Sequence, residues 1–314
     1  MTKQDPIFNL PGPLLFAHRG GAKEVPENTP LAFEHAQRAG ADVQELDVNL
    51  TADREIVVWH GPGLENVRLS CEDDFVKKRK RNRIDEFRWS ELADRAWVAD
   101  YQEEPHTDVS GVPTDPRRRM LLLAEMLSSF PTDPINIELK GSFGETDIAQ
   151  FVEILEKSPR TGRRILIVSA DHGNLKRLER RLEKLPLASQ QRYALGCSAL
   201  QVFSNAINAW LPFIAAGKSG RALQTTYWWP LCTKRLVKRV HDRAGAVHVF
   251  ITPFGPIPGL DETQNGLKEK ALIDVLARGV DGIMTDRPSE VRPVIDAWLD
   301  GSSREMKSTD EVTA

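Results

Sequence analysis

An alternation repeated eight times limits the folds open to this chain more than any other feature. Apolar, β-rich runs lie at 14–20, 42–50, 134–140, 163–170, 192–198, 221–228, 246–253 and 280–286, and each is followed by a helix-period segment or an insertion. A further run, 54–60, follows the second across Thr51-Ala52-Asp53, which reads as a hairpin turn. Thr29 and Pro30 supply a cap and a first helical residue for a helix through Ala39, and Gly40 ends it. Further helical patterns cover 121–130, 145–157, 172–184, 232–243, 267–278 and 288–299, a short one lies near Ser90 to Arg95, and helical turns reach about 210. Strands alternating with helices pair in parallel through right-handed crossovers, and eight such units predict a closed α/β barrel, the (β/α)8 TIM barrel. The expected organisation is one barrel domain over residues 1–300, with a cap-like insertion at 61–120 after the second strand and its hairpin, and a polar tail at 301–314.

At 314 residues the chain is long enough for one such barrel. Its net charge of -3 provides no field that would recruit nucleic acid. Cys71, Cys197 and Cys232 are odd in number and far apart, which argues against a disulfide framework or a structural zinc site and for a reducing compartment. The N-terminal apolar run is broken by Pro11 and Pro13, so no signal peptide is expected, and no run reaches the length of a membrane span. A cytoplasmic location is expected.

In a barrel of this kind the chemistry lies at the carboxyl ends of the strands. The first run ends in His18-Arg19, the second carries Glu45 and Asp47, the third carries Glu138 and Lys140, and the hairpin run ends in His60. Glu45 and Asp47 are two apart on a strand and share a face. Two carboxylates ~4 Å apart at an effective dielectric of about 20 repel by roughly 4 kcal/mol, and a cation relieves that repulsion. Oxygen ligands favour one hard divalent ion, Mg2+ or Ca2+, with Glu138 as a third ligand if its strand keeps register. An exposed strand face also carries polar residues at this spacing, but a barrel strand has such a face only at its ends. Arg19 and Lys140 beside the acids point to an anionic substrate, most simply a phosphate. A lone histidine is usually structural; His18 and His60 together at strand ends, near acids, fit a general acid and base. His35, His106, His172, His241 and His248 carry no such context, and His248 is expected to pack within its strand.

The motifs His18-Arg19-Gly20-Gly21, Pro26-Glu27-Asn28-Thr29, Glu45-Leu46-Asp47-Val48, Asn136-Ile137-Glu138-Leu139-Lys140 and Val280 to Pro288, in this order, resemble the glycerophosphodiester phosphodiesterase family over about residues 14–298. The resemblance implies a TIM barrel that hydrolyses glycerophosphodiesters to glycerol 3-phosphate and an alcohol. It implies that Glu45, Asp47 and Glu138 hold the cation, that His18 and His60 move protons, that Arg19 and Lys140 meet the phosphate, and that Glu27 braces the mouth. A neighbouring hydroxyl of the substrate would attack first, and water would open the resulting cyclic phosphate. Three positions depart from the family pattern. Gly61 replaces the aspartate after the second histidine, Ser169-Ala170 replaces Ser-Phe, and Phe250 stands near a usual tryptophan.

Phe250 and Trp228 are therefore candidate substrate contacts, Trp228 as an apolar wall that would suit a lipid tail or as packing under the insertion. The run Lys77 to Arg83 reads first as a solvated loop; its sharper reading is transient contact with an anionic membrane surface. Three functions follow: a phosphodiesterase acting on small head-group diesters, a lysophospholipase D-type enzyme, and a phosphate-binding barrel with little turnover.

Overall fold

A computed structural model of the chain describes residues 5–64, 67–69, 82–93, 96–98, 115–159, 164–199, 201–202, 221–227, 232–251 and 265–301. Its strands are β1 (Leu14–Ala17), β2 (Val43–Leu50), β3 (Ile56–Val58), β4 (Val67–Leu69), β5 (Ala96–Val98), β6 (Ile135–Leu139), β7 (Ile165–Val168), β8 (Tyr193–Leu195), β9 (Ala222–Thr226), β10 (Ala246–Phe250) and β11 (Gly282–Thr285). Eight of them run parallel in the order β8-β7-β6-β2-β1-β11-β10-β9. A parallel bridge between Gly196 and Ala222 joins the two ends and closes the barrel. The hairpin reading holds: β3 pairs antiparallel with β2, Val48 opposite Val58.

Every residue of β1, β2 and β7 is buried, because barrel strands are covered on both faces. The faces are nonetheless distinct. Leu14, Phe16, Val43, Leu166, Val168, Ala194, Ala222, Ala246 and Met284 pack together inside the barrel, with Ile7 and Phe8 of the N-terminal segment beneath them. Asp5 fixes that segment: its carboxylate accepts from the Ile7 and Phe8 amides at 2.8 and 2.7 Å and pairs with His248 Nε2 at 2.9 Å. His248 is fully buried in mid-strand, as expected. On the other face Leu46, Val48 and Leu50 meet Phe33, Met126 and Phe151 of the surrounding helices.

The helix Pro30–Arg38 starts where its signals place it. Thr29 Oγ1 accepts from Ala32 N at 3.2 Å and donates to Pro26 O at 2.7 Å. Removing this cap by Thr29→Ala is expected to cost about 1 kcal/mol, measured as a lower urea midpoint at unchanged slope.

The first run is shorter than the expected 14–20. β1 stops at Ala17, and His18–Gly20 form a 3-10 turn with Arg19 at φ 53°. Gly20, at φ +81°, passes so close to the first helix that a Cβ there would lie 2.6 Å from the Ala32 Cβ. This glycine is required both by its backbone angle and by that approach. The described part of the insertion has its own apolar cluster, in which Ile84, Phe87, Leu92, Ala96, Val98 and Met120 pack against Val57 and Trp59. Of the basic run only Asn82 and Arg83 lie within the described residues, and Arg83 is exposed and bound to Asp85 at 3.0 Å. The helical turns expected toward 210 fall largely outside them, as do Trp228 and the tail beyond 301.

Candidate active site

Register brings the predicted corners together. Asp47 stands opposite Glu138 across the β2–β6 pairing, and Ala17 stands opposite Thr285 across β1–β11. Glu45, Asp47 and Glu138 each offer a carboxylate oxygen, all within 4.8 Å of one another. Glu45 and Asp47 are fully buried. Lys140 Nζ lies 3.1 Å from Asp47 and 2.8 Å from Glu138. Arg19 donates its backbone N–H to Glu45 at 2.8 Å, and its guanidinium reaches Asp47 at 3.2 Å and Glu27 at 2.9 Å.

The charges of the two buried acids are treated differently. Burial opposes ionisation of both. Around Asp47 the cations Lys140 and Arg19 overcome burial and hold the carboxyl below its ordinary range. Around Glu45 burial and the nearby Asp47 charge prevail, and its carboxyl is raised well above that range. Glu45 Oε1 is buried with no hydrogen-bond partner among the described residues. An unpartnered carboxylate oxygen beside two further acidic oxygens is a donor set that fits a hard divalent cation. Burial also opposes the charge on Lys140 and Arg19, but Asp47 with its acidic neighbours outweighs it and both are raised.

The two histidines diverge as well. His18 Nδ1 is 2.6 Å from Asp286 Oδ1, which leaves Nε2 toward the acids, 4.0 Å from Glu45. Burial would lower its pKa, but Glu45 and Asp286 prevail and raise it. His60 is lowered to about 4, first by burial and then by Arg19 and Lys140, with Asp47 pulling the other way. Phe250 stands edge-on to His18 at 5.3 Å between ring centres, so it flanks a histidine.

Sequence reading gave no role to three residues. Asp286 follows the β11 residue opposite Ala17, so it is level with His18. Aligning the last strand beside the first, as barrel closure requires, would have found it. Asn28, buried at φ 57°, donates to Asp47 Oδ2 at 3.2 Å and accepts the Asp47 N–H at 3.3 Å. Its signal was its place in the Pro26-Glu27-Asn28-Thr29 motif. Asn49 continues the inward ladder of Glu45 and Asp47 by two residues, a signal that was present and unused.

The sequence profile of the Glycerophosphoryl diester phosphodiesterase family matches residues 18–290. The chain belongs to the glycerophosphoryl diester phosphodiesterase family. A glycerophosphodiester phosphodiesterase from Bacillus altitudinis is 30% identical over 276 residues, 87% of this chain and 94% of that protein. A human lysophospholipase D is 33% identical over 124 residues, 40% of this chain and 35% of that protein. Solved structures share the barrel. The phosphodiesterase domain of a Mycobacterium tuberculosis protein covers 90% of this chain and 98% of its own at TM-score 0.64 and 15% identity. An Oleispira antarctica phosphodiesterase solved with sn-glycerol-3-phosphate covers 90% and 97% at TM-score 0.60 and 19% identity.

Within this phosphodiesterase family member, the departures from the family pattern have defined surroundings. Ala170, in place of the family's Phe, is exposed, and the shared Ser169 before it donates from Oγ to Leu139 O at 2.8 Å and accepts from Asn174 at 3.2 Å, tying β7 to β6. Among the described residues, a Cβ at Gly61 would meet only Gly63 backbone, at 3.7 and 3.9 Å, both ordinary contact distances. No helix among the described residues is long and apolar enough to cross a membrane.

Proposed function

We propose that this protein hydrolyses glycerophosphodiesters to glycerol 3-phosphate and an alcohol, in one catalytic domain that includes the 61–120 insertion. The carrying observation is the set of three acidic oxygens within 4.8 Å, with Lys140 and Arg19 against them. In this reading Glu45, Asp47 and Glu138 hold one Mg2+ or Ca2+. When bound, the ion would supply fixed positive charge for the negative charge that builds on phosphorus oxygens during displacement. Lys140 and Arg19 orient the phosphate through charge-assisted hydrogen bonds. His60, neutral because its pKa is lowered, accepts the proton of the attacking hydroxyl. His18, whose pKa is raised, gives a proton from Nε2 to the leaving oxygen while Asp286 holds Nδ1. Glu27 keeps the guanidinium of Arg19 directed at the mouth. Phe250, against His18, borders the leaving-group side. Cys197 and Cys232 form no disulfide among the described residues, which suits the reducing cytoplasm in which we place the protein.

A substrate panel with added Mg2+ or Ca2+, repeated with chelator, tests this. Glycerol 3-phosphate is expected from glycerophosphocholine or glycerophosphoethanolamine, and turnover is expected to fall to background with chelator. The local likeness to a human lysophospholipase D makes lysophosphatidylcholine the informative alternative. Lysophosphatidic acid as the main product would shift the assignment to lysophospholipids. Binding of glycerol 3-phosphate without turnover of any of them would make the protein a phosphate-binding barrel.

A further inference from the structure

His18 and His60 are held in different ways. His18 is oriented through its ring, by Asp286 at 2.6 Å. The His60 ring makes no hydrogen bond among the described residues, and the main chain that carries it is gripped by one side chain. Asn49 Nδ2 lies 3.2 Å from Trp59 O, 3.1 Å from His60 O and 3.1 Å from Gly61 O. Three carbonyl oxygens converging on one end of an amide identify that end as the donor. Two amide hydrogens shared among three successive carbonyls fix the direction of both peptide units flanking the His60 Cα. Asn49 is itself nearly buried, at 8% exposure, one rung above Asp47 on β2. Its base is rigid, because Asp47 O and Lys140 N–H are both engaged in adjoining backbone hydrogen bonds, to Trp59 N at 3.0 Å and Val48 O at 2.9 Å. The loop is closed on its far side by the Trp59 indole, which donates to Gly63 O at 2.8 Å.

We propose that Asn49 is a positioning residue that aims His60 at the reacting hydroxyl by holding the 59–61 main chain. This rests on the reading of His60 as the proton acceptor. Gly61 makes the grip necessary: a glycine after the histidine leaves the loop's backbone less restricted than any other residue would. Asn49 touches neither phosphate nor ion in this assignment, so its removal is expected to lower kcat and to spare binding.

The test is a double-mutant cycle on the intact chain with glycerophosphocholine and divalent ion. Asn49→Ala is expected to lower kcat by about 10–100-fold, the penalty for a catalytic group displaced by ~1 Å, with KM within about threefold of wild type. In a His60→Ala background the same change is expected to lower kcat by no more than about twofold, because nothing remains to be aimed. Asn49→Leu keeps the bulk, removes the donor without adding a buried charge beside Asp47, and is expected to behave as alanine does; it carries the test if the alanine variant fails to fold. The proposal is overturned if Asn49 variants keep kcat within about twofold of wild type, or if their full loss recurs without His60. If His60→Ala alone turns over like wild type, the assignment of His60 fails first, and the proposal falls with it.

Discussion

Asp47→Asn and Glu45→Gln are expected to move the stability of the ion-free protein in opposite directions while both remove turnover. Asp47 is stabilised as an anion by Lys140 and Arg19. Neutralising it leaves two cations short of a buried counter-charge, a loss of about 3 kcal/mol. Glu45 is the reverse case. Its ionised form is opposed by burial and by Asp47, and glutamine imitates the protonated form that the fold prefers. The melting temperature in chelator therefore falls for Asp47→Asn and rises for Glu45→Gln. The pH dependence has a definite sign. A carboxyl raised in the folded state contributes stability below its unfolded range and loses it as pH rises through the folded value. Ion-free wild type is thus expected to melt at lower temperature as pH climbs from about 6.5 to 8, above the range in which His60, lowered to about 4, adds stability with rising pH, and Glu45→Gln is expected to flatten that slope. In the proposed chemistry each substitution also removes an anionic ligand. Ion affinity then falls by more than the ~10–100-fold typical of a supporting residue, and kcat/KM by about 10³ or more. Scanning fluorimetry in chelator and calorimetric ion titration check the two halves separately. A parallel stability change in the two variants would overturn this account of the site's charge.

The second large effect is at His18. His18→Ala is expected to lower kcat by about 10²–10⁴-fold, the usual contribution of a positioned acid or base. Asp286→Asn tests how that ring is held. Asparagine keeps the shape beside Nδ1 but can offer its amide hydrogens there, which favours the tautomer with the proton on Nε2 and removes the charge that helps raise the histidine. A smaller loss of about 10–100-fold is expected, by analogy with residues that orient a reacting group through a hydrogen bond. The two changes combined should be little worse than His18→Ala alone. Steady-state kinetics on a small diester measure all three variants. Undiminished turnover in His18→Ala would remove it from the proton-transfer role.

Much of the barrel was legible because its signals are local. A strand covered on both faces reads as an apolar run, and several runs here are followed by a helix with its own start signal, at Thr29, Asp171 and Thr233. The ends of the runs were less legible. At His18-Arg19 the chain keeps strand-like neighbours but turns, because Gly20 must pass over Ala32. Glu45 and Asp47 were legible as a pair because they lie two apart on one strand. The role of Glu138 depended on register, which only strand pairing sets, and the structure places it opposite Asp47. Asp286 lies 268 residues from His18 and meets it only because the barrel closes. Asp5 and His248 come together for the same reason, across almost the whole chain.

Patterning along single segments carried the eight β-rich runs, the paired acids of β2, and the histidines, arginine and lysine at strand ends. These are properties of spacing along one segment, where period and capping act over a few residues. The tertiary structure decided which acid ionises readily, how each histidine is held and what fixes the His60 loop. Those outcomes depend on distance and burial among residues brought together from different strands. An electrostatic field or a hydrogen-bond geometry exists only once the barrel has closed around them.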